Sequence, residues 1–264
     1  MMRRLTLCAD DYGQSAGICD GILQLIALGR LSATSVFSES PGWPDAARAL
    51  PSTRIDIGLH LNLTEAYSAD SRPLSYWLLN SQLRRLAPQR LRDRILAQID
   101  AFACHLNRLP DYIDGHQHVH ALPQVRQALS EAIALRWVQP AAPYLRRPDR
   151  LADPGDAHFK TLVLKTCCAG FSRHLHARGL VGPDWFAGLY SLGASADYRA
   201  LMRRWLAHCP DGGLIMCHPG LADPAPDPIA ATRPLEYRYL ASDDFLSDCQ
   251  QQQIELSRWP RQIG

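Results

Sequence analysis

What most constrains this chain is a repeated order: a short apolar run, an abrupt polar stop, then residues at helical spacing. Leu5 to Ala9 is the first such run, and it halts at Asp10-Asp11-Tyr12-Gly13, as a buried parallel strand entering a polar loop would. Ser15 is placed to cap a helix running to about Leu28, with Ile18, Ile22, Leu25 and Ile26 on one face and Gly29 closing it. Ser32 to Phe37 has the β-branched content of a second strand, and Trp43 to Leu50 reads as a short helix after a Pro-Gly turn. Ile55 to Asn62 is a third strand that again runs straight into polar residues.

The pattern continues less evenly. Residues 65 to 88 hold no clear period and read as an excursion over one face, whereas Leu91 to Leu106 is amphipathic at helical spacing. Tyr112 to Asp114 is a short fourth strand, then a His-rich loop and a helix from near Pro123. A fifth strand is expected within 136–146, helix over most of 158–178, and a sixth strand near Trp185 to Tyr190. Tyr198 to His208 reads as a helix, Gly213 to Cys217 as a last strand, and the tail from about Ser242 as a final helix. Repeated strand-then-helix units imply a parallel sheet, either a barrel or an open sheet. With no repeat, linker or low-complexity segment, one domain over residues 1–264 is the simplest account.

Composition narrows the function classes. Hydrophobic residues make up 47% and charged residues 20%, enough for a buried core without disulfides. The net charge of +2 and the absence of a long basic block argue against a nucleic-acid partner. Arg84-Arg85 and Arg146-Arg147 are short clusters suited to solvated faces. The start carries no secretory pattern, and no run approaches the roughly 18 apolar residues of a membrane span. Eight Cys without a CxxC pair fit reduced, buried thiols in a cytoplasmic protein.

Four separate apolar strands end in metal-competent or acid/base residues: Asp10-Asp11, His60, the His116/His118/His120 group, and His218. The carboxyl ends of parallel strands share one face, so these residues can meet in one pocket. Each also has a bland reading. Asp10-Asp11 suits a turn, His60 and His218 suit satisfied buried histidines, and the three clustered His suit a solvated loop. Together they match a hydrolytic metal site, which uses about three His and carboxylate ligands and leaves a position open. Such a site also needs a base for water and an acid for the leaving group. Adjacent aspartates can divide this work, because successive residues of an extended segment point in different directions.

Ala9-Asp10-Asp11-Tyr12-Gly13, Gly58-Leu59-His60-Leu61-Asn62-Leu63-Thr64 and Asp114-Gly115-His116-Gln117-His118-Val119-His120 resemble the YdjC-like carbohydrate deacetylases, which include chitooligosaccharide deacetylases. The resemblance implies an α/β, single-domain (β/α) barrel, irregular, with about seven parallel strands and related to polysaccharide deacetylases. It implies hydrolysis of an acetamido group on a glucosamine-type sugar or short chitooligosaccharide. By motif, Asp11, His60 and His116 would hold one divalent ion, zinc or magnesium, Asp10 would be the base and His218 the acid. Arg146-Arg147-Pro148 is similar to the Arg-x-Pro element whose Arg orients the base, which favours Arg146. Tyr12 stands where Phe is commoner, and Gln117 where His is common.

The choice of His116 over His118 or His120 comes from the family. A continuing strand would put His116 and His118 on one face, and an early helix would pair His116 with His120. The others become second ligand-orienting or sugar-contacting groups, with Asp114 orienting an imidazole. Trp43, Trp77 and Trp185 are candidates for stacking on sugar rings or for packing. The expected partner is a small N-acetylated sugar, with a homodimer allowed and neither nucleic acid nor membrane involved. Two rivals stand beside this reading: an amidohydrolase-like enzyme built on His116-x-His118 and cutting another amide or a phosphoester, and a non-catalytic sugar-binding protein.

Overall fold

The computed structural model describes residues 1–50, 54–138 and 141–260. Its first half follows the apolar runs closely. β1 (Arg3–Tyr12) leads to α1 (Ala16–Ala27), β2 (Ala33–Val36), α2 (Trp43–Ala49) and β3 (Asp56–Leu61). After α3 (Leu74–Gln82) and α4 (Pro88–Leu106) come β4 (Tyr112–Gly115), a 3-10 turn over His116–Ala121, and α5 (Pro123–Arg136). The second half has β5 (Tyr144–Leu145), α6 (His158–Cys167), α7 (Phe171–His176), β6 (Phe186–Ala187), α8 (Tyr198–His208) and β7 (Gly213–Cys217). It ends with α9 (Arg233–Ala241), α10 (Asp243–Gln251) and β8 (Ile254–Leu256).

Seven parallel strands pair in the order β5-β4-β3-β2-β1-β7-β6 and curl into a half-barrel, so the chain is a single α/β domain. The two edges approach without a ladder: Leu145 N–H donates to Val181 O, and Leu151 bridges Phe186. β8 pairs the beginning of β1, with Leu5 in register with both Leu256 and Gly213. Strand β2 takes over that same edge of β1 from Cys8 onward.

Two cores result. The larger lies between the sheet and its helices and receives Ile18, Ile22, Leu25 and Ile26 of α1, which Ser15 caps by accepting from Ile18 N–H. Each such buried aliphatic contributes roughly 1.5–3 kcal/mol. The smaller core fills the curl itself with Tyr112, Tyr144, Phe186, Leu214 and Met216. Gly58 is needed there, because a Cβ on it would lie 2.3 Å from the Tyr112 ring. No helix among the described residues is long and apolar enough to cross a membrane.

Four expectations change. The 65–88 excursion contains α3, whose buried residues are Trp77 and Ser81. A helix that buries so little carries no strong period. The fifth and sixth strands shrink to two residues each; within the 136–146 span, residues 139–140 lie outside the described residues. The Pro- and Asp-rich stretch 219–234, which reads as a loop in the sequence, runs into α9, whose inward-facing Arg233 and Glu236 weaken its apolar signature. The tail closes with β8 after the expected helix.

Candidate active site

Asp10 and Asp11 diverge because the backbone at Asp11 is left-handed, with φ of 69°, where β1 slips register against β2 between Ala9 and Tyr12. This local strain, more than plain strand alternation, separates the two carboxylates. Asp is one of the residues that tolerates the conformation, and strain of this kind concentrates at functional sites. Asp10 turns into the curl of the sheet. Asp11 turns toward the mouth.

Inside the curl Asp10 meets Arg146, which is fully buried just after β5. The guanidinium grips both Asp10 oxygens at 2.6 Å and reaches Asp114 Oδ2 at 2.5 Å. Burial works to raise the Asp10 pKa, but Arg146 outweighs it and holds the carboxyl well below the usual range. Ser35 Oγ donates to Asp114 Oδ2, and the Tyr112 hydroxyl sits 2.8 Å from Ser35 Oγ and 2.9 Å from Cys8 Sγ. Cys8, Asp10 and Asp114 are close enough to hold a cation, and Arg146 is that cation.

At the mouth, Asp11 Oδ1 lies 3.4 Å from His60 Nε2 and 3.3 Å from His116 Nδ1. All three residues offer ligand atoms within 4.8 Å of one another. Asp114 Oδ1 is 2.7 Å from His60 Nδ1, so that nitrogen carries a proton and Nε2 is the ring atom turned to Asp11. Glu65 does the same for His116, with Oε1 3.3 Å from Nε2. Phe37 packs edge-on against both imidazoles, at 5.0 and 5.3 Å between ring centres.

These residues fit a divalent ion. Tetrahedral bonds of roughly 2.0–2.1 Å set ligand atoms about 3.3 Å apart, which is the spacing of Asp11 Oδ1 from each of the two imidazoles. Asp11 Oδ1 is buried and lacks a well-formed hydrogen bond, although two imidazoles stand near it. Burial disfavours a charged His60, yet Asp114, Asp11 and Asp10 raise its pKa to about 10, so the spot draws positive charge.

The opposite wall comes from the second half of the chain. Arg233, at the start of α9, donates through Nη2 to Asp11 Oδ2 at 2.9 Å and through Nε to Asp227. This leaves Asp11 Oδ1 as the free ligand atom. One turn on, Glu236 Oε2 accepts from the His218 backbone N–H at 2.5 Å, and its Oε1 accepts from the Tyr190 hydroxyl at 2.5 Å. His218 Nε2 stands 3.9 Å from Asp10 Oδ2. Arg233, Glu65 and Tyr190 escaped the sequence reading. The signal for Arg233 was faint: a cation at the helix start, in Thr232-Arg233-Pro234, on a chain with two carboxylates to balance.

The three clustered histidines do not share a face. Gln117 and His118 both have left-handed backbones, with φ of 52° and 59°, which ends the strand without starting a regular helix. His116 joins Asp11 and His60. His118 lines the cavity, packed edge-on to Phe186, while burial and Arg146 push its pKa well down. His120 is fully buried and places Nε2 2.9 Å from Arg146 O. No described metal-competent group pairs His116 with His118, as the amidohydrolase-like reading requires.

A cavity of about 440 Å³ covers Asp10, Asp11, His60, His116, His118 and His218. None of the three tryptophans lines it. Trp43 is buried against Phe102, Trp77 donates to Leu63 O, and Trp185 lines a separate cleft at the other end of the strands. Arg147 also faces that cleft, pairing with Asp184 and Ser172.

A parallel half-barrel with Asp, His and Arg gathered at the carboxyl ends of its strands defines a class, an α/β protein with a candidate metal site at the mouth of its sheet. Comparison with known proteins narrows it: the YdjC-like protein family matches residues 4–251, and this chain belongs to that family. It is 30% identical over 245 residues to the carbohydrate deacetylase of Mus musculus, covering 82% of this chain and 78% of the relative. It is 29% identical over 240 residues to the chitooligosaccharide deacetylase of Serratia marcescens, covering 84% of each. A crystal structure from Enterococcus faecalis V583, a "putative cellobiose-phosphate cleavage protein", superposes with a TM-score of 0.73 at 19% identity over 98% of both chains, which establishes the shared fold.

Proposed function

We infer that this protein is a metal-dependent hydrolase that removes the N-acetyl group from an acetamido sugar, releasing acetate and the free amine. The observation that carries the reading is the division of the aspartates: Asp11 Oδ1 faces His60 and His116, while Asp10 is clamped by Arg146. A binding protein has no use for a second carboxylate held ionised beside a ligand set. The family relatives named as carbohydrate and chitooligosaccharide deacetylases support the same chemistry.

Asp11, His60 and His116 would hold the ion, and two imidazoles with one carboxylate suit zinc better than magnesium. When bound, the ion supplies Lewis acidity toward water and a carbonyl oxygen. Asp10 then accepts a proton from the attacking water, whose oxygen joins the acetamide carbon. Arg146 keeps Asp10 ionised and aimed. His218 donates a proton to the sugar nitrogen as the C–N bond breaks, and Glu236 fixes the His218 loop through its backbone N–H. Asp114 and Glu65 hold the ligand imidazoles in the required tautomers.

The test is acetate release from N-acetylated sugars by zinc-reconstituted protein. Release that stops on chelation and returns with metal is the expected result. Stoichiometric zinc with no acetate from any acetylated sugar would overturn the assignment.

A further inference from the structure

The catalytic side of the cavity is polar, and the side facing it is aliphatic. Leu74 and Leu78 of α3, Phe159 and Val163 of α6, and Leu192 and Ile229 from loops all line it. On each helix the two residues are four apart, so each presents one apolar stripe to the opening. The α6 stripe continues outward: Phe159, which lines the cavity, is 77% exposed, so apolar surface runs from the cavity into solvent. Polar groups on this side are few, and the Lys160 ammonium is already engaged with Ser191 O.

This wall is wrong for a chain of sugar rings. Every hydroxyl pressed against Leu or Val loses water and gains no partner, which costs free energy. It is right for one sugar carrying an apolar group. Resting on the deacetylase reading above, we propose that the substrate is an acetamido sugar linked to an apolar aglycone, which lies along the α3–α6 stripe while the acetamido group meets Asp10, Asp11 and the histidines.

The experiment compares methyl, butyl and octyl N-acetylglucosaminides with di- and triacetylated chitooligosaccharides, using zinc-loaded protein for acetate release and Asp10→Asn for binding by calorimetry. Affinity and kcat/KM should rise about three- to fourfold per methylene over the first several carbons. The octyl glycoside should exceed the trisaccharide at least tenfold. Phe159→Ser, at an exposed position that leaves the fold intact, should lower the octyl-to-methyl ratio severalfold. A flat alkyl series, or a ratio that Phe159→Ser leaves unchanged, would overturn the proposal. So would a wild-type dimer that Phe159→Ser dissociates alongside a flat series, since the stripe would then seat a second copy. Binding that rises with alkyl length without acetate release would uphold the apolar wall and sink the deacetylase reading instead.

Discussion

The two walls of the site are built differently. The wall bearing Asp11, His60 and His116 rests on β1, β3 and β4, which are joined through β2 by continuous parallel pairing. The wall bearing Arg146, His218, Arg233 and Glu236 rests on a two-residue strand, a strand end and one helix start. The first wall presents the candidate ligand atoms. The second sets their charge and direction, since each buried guanidinium grips one of the adjacent aspartates. His120 ties the two together by holding the Arg146 backbone. Ligand geometry thus sits on the rigid ladder, and its electrostatic control arrives from far along the chain.

The sharpest way to break this division is at Arg146. Arg146→Met leaves Asp10 and Asp114 buried without their cation and should destabilise the fold by about 3–5 kcal/mol in denaturant unfolding. Arg146→Lys keeps the charge but loses the fork, and should fold while losing at least tenfold in kcat. Unchanged turnover in the lysine variant would show that Asp10 needs no aiming.

Arg233 is the equivalent test for the ion. Arg233→Lys also retains charge, so its effect reports on how Asp11 is aimed. Zinc should bind about tenfold more weakly in a chelator competition, with the circular dichroism spectrum preserved. An unchanged Kd would reduce Arg233 to a structural pairing with Asp227.

The link between the walls predicts a pH effect. Burial lowers the His120 pKa to about 4, against the Arg146 carbonyl and Asp114, which raise it, whereas an unfolded histidine titrates near 6.5. The unfolded chain therefore binds the proton first as pH falls. The stabilisation is complete above about pH 6.5 and is lost progressively toward pH 4. Between pH 7 and 4.5 the wild type should lose about 2 kcal/mol more than His120→Asn. Equal slopes would mean that His120 is not held neutral in the fold.

The sequence was legible where chemistry and strand sit together. Asp10-Asp11, His60 and His116 each follow an apolar run directly, and those runs became β1, β3 and β4. Arg233 was hidden because it faces inward from a helix with little apolar periodicity, and its partner Asp11 is 222 residues away. The left-handed turns at Asp11, Gln117 and His118 were equally hidden, since none falls on glycine. Those turns decide which carboxylate meets which cation and which histidine reaches the mouth. The aliphatic lining from α3 was missed for a related reason, because its leucines line a cavity and pack only partly on the core.

The central claim is that neighbouring aspartates hold separate offices, and it is tested by measuring bound zinc and acetate release together in Asp10→Asn and Asp11→Asn. The account predicts that Asp10→Asn keeps stoichiometric zinc while acetate release falls at least a thousandfold, and that Asp11→Asn loses both. Full zinc in Asp11→Asn, or zinc lost from Asp10→Asn with its fold intact, would contradict it.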